Sequence, residues 1–170
     1  MIKFKKIRYK NFLSTGNIPI EVELDKSSTT LIVGSNGSGK STLLDALCYA
    51  LFNKPFRIIK KDQMVNTINN ADTIVEVEFE VGTNQYMIRR GIKPNLFEIY
   101  QNDKLINQDA SNIDYQKYLE QNIMKLNYRS FIQVVILGSS SYEPFMKMKP
   151  RYRREVVEEI LDIRVFGLMD

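Results

Sequence analysis

Apolar positions along the chain recur with two periods, and each period predicts a kind of element. Alternation marks strands at residues 2–12 (IKFKKIRYKNF), 18–24 (IPIEVEL) and 73–81 (TIVEVEFEV). In the first, the apolar phase slips from Ile2 and Phe4 to Ile7 and Tyr9 across Lys5-Lys6, which predicts a bulge or a bend. In the second, Ile18, Ile20, Val22 and Leu24 share one face. In the third, Val75, Val77, Phe79 and Val81 point inward and Glu76, Glu78 and Glu80 outward. Thr30-Leu31-Ile32-Val33, a short apolar run ending in glycine, predicts a strand covered on both sides. The period then lengthens: Leu43, Leu44, Leu47, Leu51 and Phe52 predict an amphipathic helix over 40–54, closed by Pro55. Residues 84–90 and 96–101 flank Gly91-Ile92-Lys93-Pro94-Asn95 and predict a hairpin with a five-residue loop. A helix at about 112–126, a strand at 131–137 (FIQVVIL) and a charged helix at roughly 151–165 complete the reading. The last carries Val156, Val157, Ile160 and Leu161 on one face and meets no stop signal before Gly167, so it reads as the start of a longer element.

With 170 residues, 44% apolar and 26% charged, and no repeat or Pro/Gly-rich linker, the chain fits one compact domain. It has no histidine, which excludes zinc-histidine sites and Ser-His-Asp triads on this polypeptide. Its single cysteine, Cys48, excludes an internal disulfide or a CxxC zinc pair and reads as a small core residue of the first helix. No apolar run approaches the roughly 18 residues of a membrane span, and the N-terminus lacks the apolar core of a signal peptide. A soluble protein of a reducing cytoplasm is expected, with no membrane partner. A net charge of +4 permits a nucleic-acid partner without requiring one.

Chemistry is concentrated in Gly34-Ser35-Asn36-Gly37-Ser38-Gly39-Lys40-Ser41-Thr42, which matches the phosphate-binding pattern G-x-x-x-x-G-K-[ST]. Glycines let successive backbone N–H groups curl around one anion without Cβ atoms in the way. The loop opens a helix whose free amides and dipole face the same anion. Lys40 supplies a mobile positive charge to the terminal phosphates and is the candidate catalytic residue, while the Ser41 hydroxyl is the candidate Mg²⁺ ligand. Hydrolysis also needs an acidic metal ligand after a second apolar strand. No run of four apolar residues followed by Asp-Asp or Asp-Glu occurs, and Ile160-Leu161-Asp162 sits in a helical pattern. The chain therefore reads as a phosphate cradle whose remaining half-site lies elsewhere, or as a nucleotide-binding module without turnover.

Asn36 through Ala46 resembles the loop of ABC-type ATPases of the SMC superfamily. Asn11-Phe12-x-Ser14, Lys60-Lys61-Asp62 and Arg154-x-Val156-Val157-Glu158-x-x-Leu161 resemble the N-terminal lobe of the double-strand-break repair ATPases that partner a nuclease. Asn53-Lys54-Pro55-Phe56-Arg57 and Tyr142-x-Pro144-Phe145-Met146 are similar to the bacteriophage branch, the large subunits of phage recombination endonucleases. The resemblance implies an α/β P-loop lobe over 1–150 with an antiparallel β extension, and a helix from 151–170 leading into a coiled coil. It implies ATP and Mg²⁺ as cofactors, with the loop from Gly34 to Thr42 as cradle, Ser14 as an auxiliary contact, and Val65, Asn66 and Thr67 on the adenine side. Its implied partners are the chain's own C-terminal lobe, a second head, a break-processing nuclease and DNA, with hydrolysis only in the closed pair of heads.

Two positions depart from the pattern. Many relatives carry arginine where Leu13 stands, and a glutamine after the strand that holds Phe131, Val134, Val135 and Leu137; here Ser139 falls at that place and Gln133 six residues earlier. Basic residues cluster at Lys3/Lys5/Lys6/Arg8/Lys10, at Arg57/Lys60/Lys61 and at Arg151/Arg153/Arg154, as DNA contacts or as solvated charged faces. Arg89-Arg90 opposite Glu76–Glu80 reads as cross-strand pairing, and Met146 and Met148 as docking surface or core. Rival readings are a superfamily DNA-repair ATPase without a coiled coil and a small-molecule P-loop kinase, although 73–101 does not resemble a kinase lid.

Overall fold

The computed structural model describes residues 2–106, 112–136 and 143–161. The chain divides into two compact units, Met1–Ile113 and Asp114–Asp170.

The first unit is built on a six-stranded antiparallel sheet in the order β2-β1-β3-β4-β5-β6. Its strands are β1 (Ile2–Lys10), β2 (Ile20–Glu23), β3 (Thr73–Val81), β4 (Asn84–Ile92), β5 (Leu96–Gln101) and β6 (Lys104–Leu105). The expected slip in β1 is a bulge: Phe4 pairs with Phe79, but the next pair is Lys6 with Glu78. The bulge keeps Phe4 and Ile7 on the same face although they are three residues apart. That face carries Ile7, Val75, Val77, Ile88 and Ile99, all fully buried. The hairpin strands run further than the pattern predicts. Gly91 pairs with Leu96, so the turn shrinks to residues 93–95. A Cβ at Gly91 would lie 3.1 Å from the Pro94 carbonyl and 3.2 Å from that of Thr73, a closeness that favours glycine.

Helix α1 (Lys40–Phe52) packs on the apolar face, chiefly against β3 and β4. It is less amphipathic than expected, because every residue from Asp45 to Phe52 is buried. Two polar contacts pin it to the sheet. Tyr49 donates its hydroxyl to the Gly91 carbonyl at 3.3 Å, and Arg90 Nε donates to the Ala50 carbonyl at 3.0 Å. Arg90 is 5% exposed and lies over the Phe97 ring, so its charge meets the negative end of the helix. Asn53, in the left-handed region, ends the helix by donating its N–H to Tyr49 O.

The opposite face of the sheet is a lattice of ion pairs. Arg8 and Arg89 both reach Glu76, Arg89 also reaches Glu98, Lys5 pairs with Glu80 and Lys6 with Glu21. Cross-strand pairing is thus correct for Arg89 but not for Arg90. The first basic cluster is largely neutralised by the glutamates opposite it.

The run 30–33 overturns its expectation. It forms no strand, and Leu31 and Val33 are 83% and 78% exposed. Backbone amides form a strand only when a neighbour supplies the opposite half of each hydrogen bond, and no described strand lies beside this run. The 18–24 pattern fares similarly: only Ile20–Glu23 pairs, with Ile20 opposite Tyr9 on the outermost strand, and both Ile18 and Ile20 are exposed.

In the second unit α2 (Asn112–Tyr118) runs into a π-helical stretch, Leu119–Met124, in place of one regular helix. Where a strand is expected at 131–137, with Leu137 outside the described residues, residues 131–134 belong instead to helix α3 (Tyr128–Val134). Its start is dictated by Asn127, whose side chain accepts from Ser130 N and outweighs the β-branched residues that follow. Asn127 also binds α4 (Pro150–Ile160): its N–H donates to Glu159 at 3.1 Å and its amide to Glu155 at 2.6 Å. Arg129 lies over the Tyr152 ring. Met148 is buried, whereas Met146 is 76% exposed. No described helix is long and apolar enough to cross a membrane.

Candidate nucleotide site

The phosphate-loop sequence folds as a tight turn into α1. Gly37 (φ +83°) and Gly39 (φ +92°) lie in the left-handed region, where a side chain is strained. Gly34 differs from both: a Cβ there would meet the Ser38 hydroxyl and displace that side chain. Gly39 precedes the helix as its cap, and its carbonyl accepts from Thr42 N at 3.0 Å. No acidic side chain sits in the first turn of α1, so the positive end of the helix faces the loop uncompensated. Lys40 Nζ bends back over the loop and donates to the carbonyls of Gly34 and Ser35, both at 2.7 Å.

Beside the loop opens a cavity of about 580 Å³. Asn36, Gly37 and Gly39 to Thr42 line it, facing a wall from two other segments. The first is the turn Leu13-Ser14 at the end of β1, and the second is the stretch with Ile59, Gln63, Val65 and Thr67. These segments are stapled by backbone bonds, Leu13 N to Met64 O at 2.7 Å and Asn66 N to Asn11 O at 2.9 Å. Phe12, fully buried, bridges to Val65 beneath them.

Most of the residues singled out in the sequence meet at this cavity: Ser14, Asn36, Gly37, Gly39, Lys40, Ser41, Thr42, Val65 and Thr67. Three others shape it from outside. Gly34 and Ser35 hold Lys40, and Ser38 packs over Gly34. Asn66 does not line the cavity. It is 6% exposed, its amide donates to the carbonyls of Leu13 and Thr15, and its side-chain oxygen accepts from Ile68 N and Asn69 N. With both ends of the amide committed, its role is to hold the wall together. Gln133 lies on α3, where its amide donates to the Glu143 carbonyl at 3.1 Å, while Ser139 lies outside the described residues.

Arg57, Ile59 and Gln63 line the cavity without having been picked out as site residues. Gln63 accepts from Lys60 N at 3.1 Å, which closes the short 3-10 turn Lys61–Met64. Arg57 belongs to a basic cluster that reads as DNA contact or solvated face, yet Asp45 of α1 holds it at the cavity. No periodicity rule links positions 45 and 57, which meet only through the turn after Phe52. Around the helix, burial pushes the Cys48 thiol well above the ordinary thiol range, with the Asp45 charge adding to it. Burial also pushes the Tyr49 phenol up to about 12, with Arg90 acting in the opposite direction.

The family model described as AAA domain matches residues 6–165. The chain belongs to this AAA domain family. It is 43% identical over 168 residues to Exonuclease subunit 2 of Enterobacteria phage T4, covering 99% of this chain and 30% of that protein. It is 29% identical over 167 residues to the DNA double-strand break repair Rad50 ATPase of Thermoplasma volcanium, covering 94% and 18%. Among solved structures, the Smc head domain with an extended coiled coil from Pyrococcus furiosus superimposes with a TM-score of 0.65 at 20% identity, covering 98% of this chain and 44% of the other. Within the AAA domain family the chain is thus similar in sequence to a Rad50 ATPase and a phage exonuclease subunit, and in fold to an Smc head. It spans about a third or less of the length of these two curated relatives.

Proposed function

We propose that this chain is the nucleotide-binding half of a DNA-repair ATPase head that binds Mg-ATP and regulates a partner nuclease. The observation that carries this reading is the phosphate loop opening onto a cavity walled by Leu13, Ser14, Val65 and Thr67. The residues present fit a triphosphate with its metal. Two glycines hold left-handed conformations, a third lies against the Ser38 side chain, the helix start is uncompensated, and a lysine and an exposed serine hydroxyl stand beside them. The loop amides and Lys40 would hold the phosphates, Ser41 would hold Mg²⁺, and the apolar Leu13, Ile59 and Val65 would offer a surface for the base. A bound metal would neutralise charge building up on the phosphates. This chain's own contribution is to bind and orient the nucleotide, and Lys40 must first leave the Gly34 and Ser35 carbonyls.

Completion of the site falls to other chain segments. The exposed Leu31-Ile32-Val33 beside the loop is the surface on which a C-terminal lobe would supply the missing strand and the acidic ligand. Helix α4 (Pro150–Ile160) would lead toward the coiled coil, and a second head would close over the nucleotide. The sequence likeness to an exonuclease subunit and to a double-strand break repair ATPase supports a nuclease and DNA as partners. The test is ATP hydrolysis by the full-length protein, with and without linear DNA and a candidate nuclease partner. Turnover should depend on Lys40 and rise with DNA. Equal turnover by residues 1–170 alone would overturn the half-site reading.

A further inference from the structure

Asp45 lies on α1 five residues past Lys40, and its side chain is wholly buried. A buried carboxylate is costly unless it is paired and hydrogen-bonded. One residue supplies each of the contacts described for it. Arg57 N donates to Oδ1 at 2.9 Å, Arg57 Nε donates to Oδ2 at 2.7 Å, and Nη2 lies 2.5 Å from Oδ2. The carboxylate therefore fixes both the backbone and one edge of the guanidinium. The other edge, at Nη1, has no hydrogen-bond partner among the described residues. Arg57 remains 42% exposed and lines the same cavity as Lys40 and Ser41. Lys40 and Arg57 are the two cations lining this cavity. Lys40 is folded onto loop carbonyls, whereas the free edge of Arg57 has no such internal claim.

We propose that Asp45 is a positioning residue of the nucleotide site, holding the Arg57 guanidinium so that its free edge meets the anionic part of a bound nucleotide. The proposal rests on the nucleotide reading of the cavity. The pair is weak evidence for a role in fold stability alone, because apolar side chains of the same volume often stabilise as well as a buried ion pair does. Anion recognition does give one: a planar fork held along one edge presents its remaining donors at a fixed angle, which a lysine on a flexible stem does not.

The experiment is calorimetric titration of Mg-ATP into the full-length protein carrying Asp45→Asn, Arg57→Ala, Arg57→Lys or both Asp45→Asn and Arg57→Ala. Circular dichroism checks each fold, and Lys40→Ala serves as reference. Arg57→Ala should weaken binding by about tenfold, Asp45→Asn by nearly as much, and the double variant no further than Arg57→Ala alone. Arg57→Lys should fail to restore affinity. Losses that multiply in the double variant, or Asp45→Asn within about twofold of wild type, would overturn the proposal. Should Asp45→Asn not fold, Arg57→Lys decides: wild-type affinity there means that charge alone suffices and positioning by Asp45 is unnecessary. Saturable binding that Lys40→Ala abolishes but the Asp45 and Arg57 variants spare would sink this proposal alone. No binding by the wild type would sink the nucleotide reading itself.

Discussion

Two stretches of comparable apolar character meet opposite fates in the first unit. Along β3, Val75, Val77 and Phe79 are at most 1% exposed, whereas Leu31 and Val33 are among the most exposed apolar side chains described. Hydrophobicity does not separate them. β3 lies between β1 and β4 and is hydrogen-bonded along both edges, while residues 30–33 have no described strand on either side. A strand is a property of a set of neighbours, and side-chain pattern alone cannot create it. The contrast teaches that an apolar run is buried only where described strands flank it, as they flank β3 and not residues 30–33.

Substitutions on the two sides should sharpen the difference. Phe79 packs its ring on Phe4 and Tyr86 at 5.9 and 5.6 Å, so Phe79→Ala should cost about 3–5 kcal/mol in denaturant unfolding. Ile32→Ala in the 170-residue chain should stay within about 0.5 kcal/mol, yet cost about 2 kcal/mol or more where a further lobe covers it. Equal losses in the 170-residue chain would break the comparison.

A smaller effect tests the buried side through pH. The Tyr49 phenol is held near 12, above its ordinary 10, so between those values the unfolded chain releases a proton that the folded chain keeps. Stability should fall as pH rises across this window, by about 1.4 kcal/mol per unit from this group. Tyr49→Phe should flatten that part of the slope, and an unchanged profile would place the phenol in water. Smallest is the charged face. Glu76→Gln should cost about 1 kcal/mol or less, and less still in high salt. A larger loss would mean that this lattice organises the sheet more than its exposure suggests.

What the sequence revealed follows the same division. β3, the β1 bulge and α1 were legible because their partners are nearby in the fold and their periodicity is complete. The phosphate loop was legible because its glycines answer local demands, two left-handed turns and one close approach. Helix α3 was misread as a strand because FIQVVIL is β-branched and apolar, and the decisive residue, Asn127, lies before the run. Asn66 was read as a ligand contact because its position was right and its burial was invisible. Arg57 reads in the sequence as part of a basic cluster, because its partner Asp45 stands on another element and only three-dimensional packing joins them.

The central claim is that the turn from Gly34 to Thr42 grips the phosphates of a nucleotide, and calorimetric titration of Mg-ATP into the full-length protein measures it directly. The wild type should give a saturable isotherm, and Lys40→Ala should weaken it by about ten- to a hundredfold. Superimposable isotherms for the two proteins, or flat heats for both, would contradict the account.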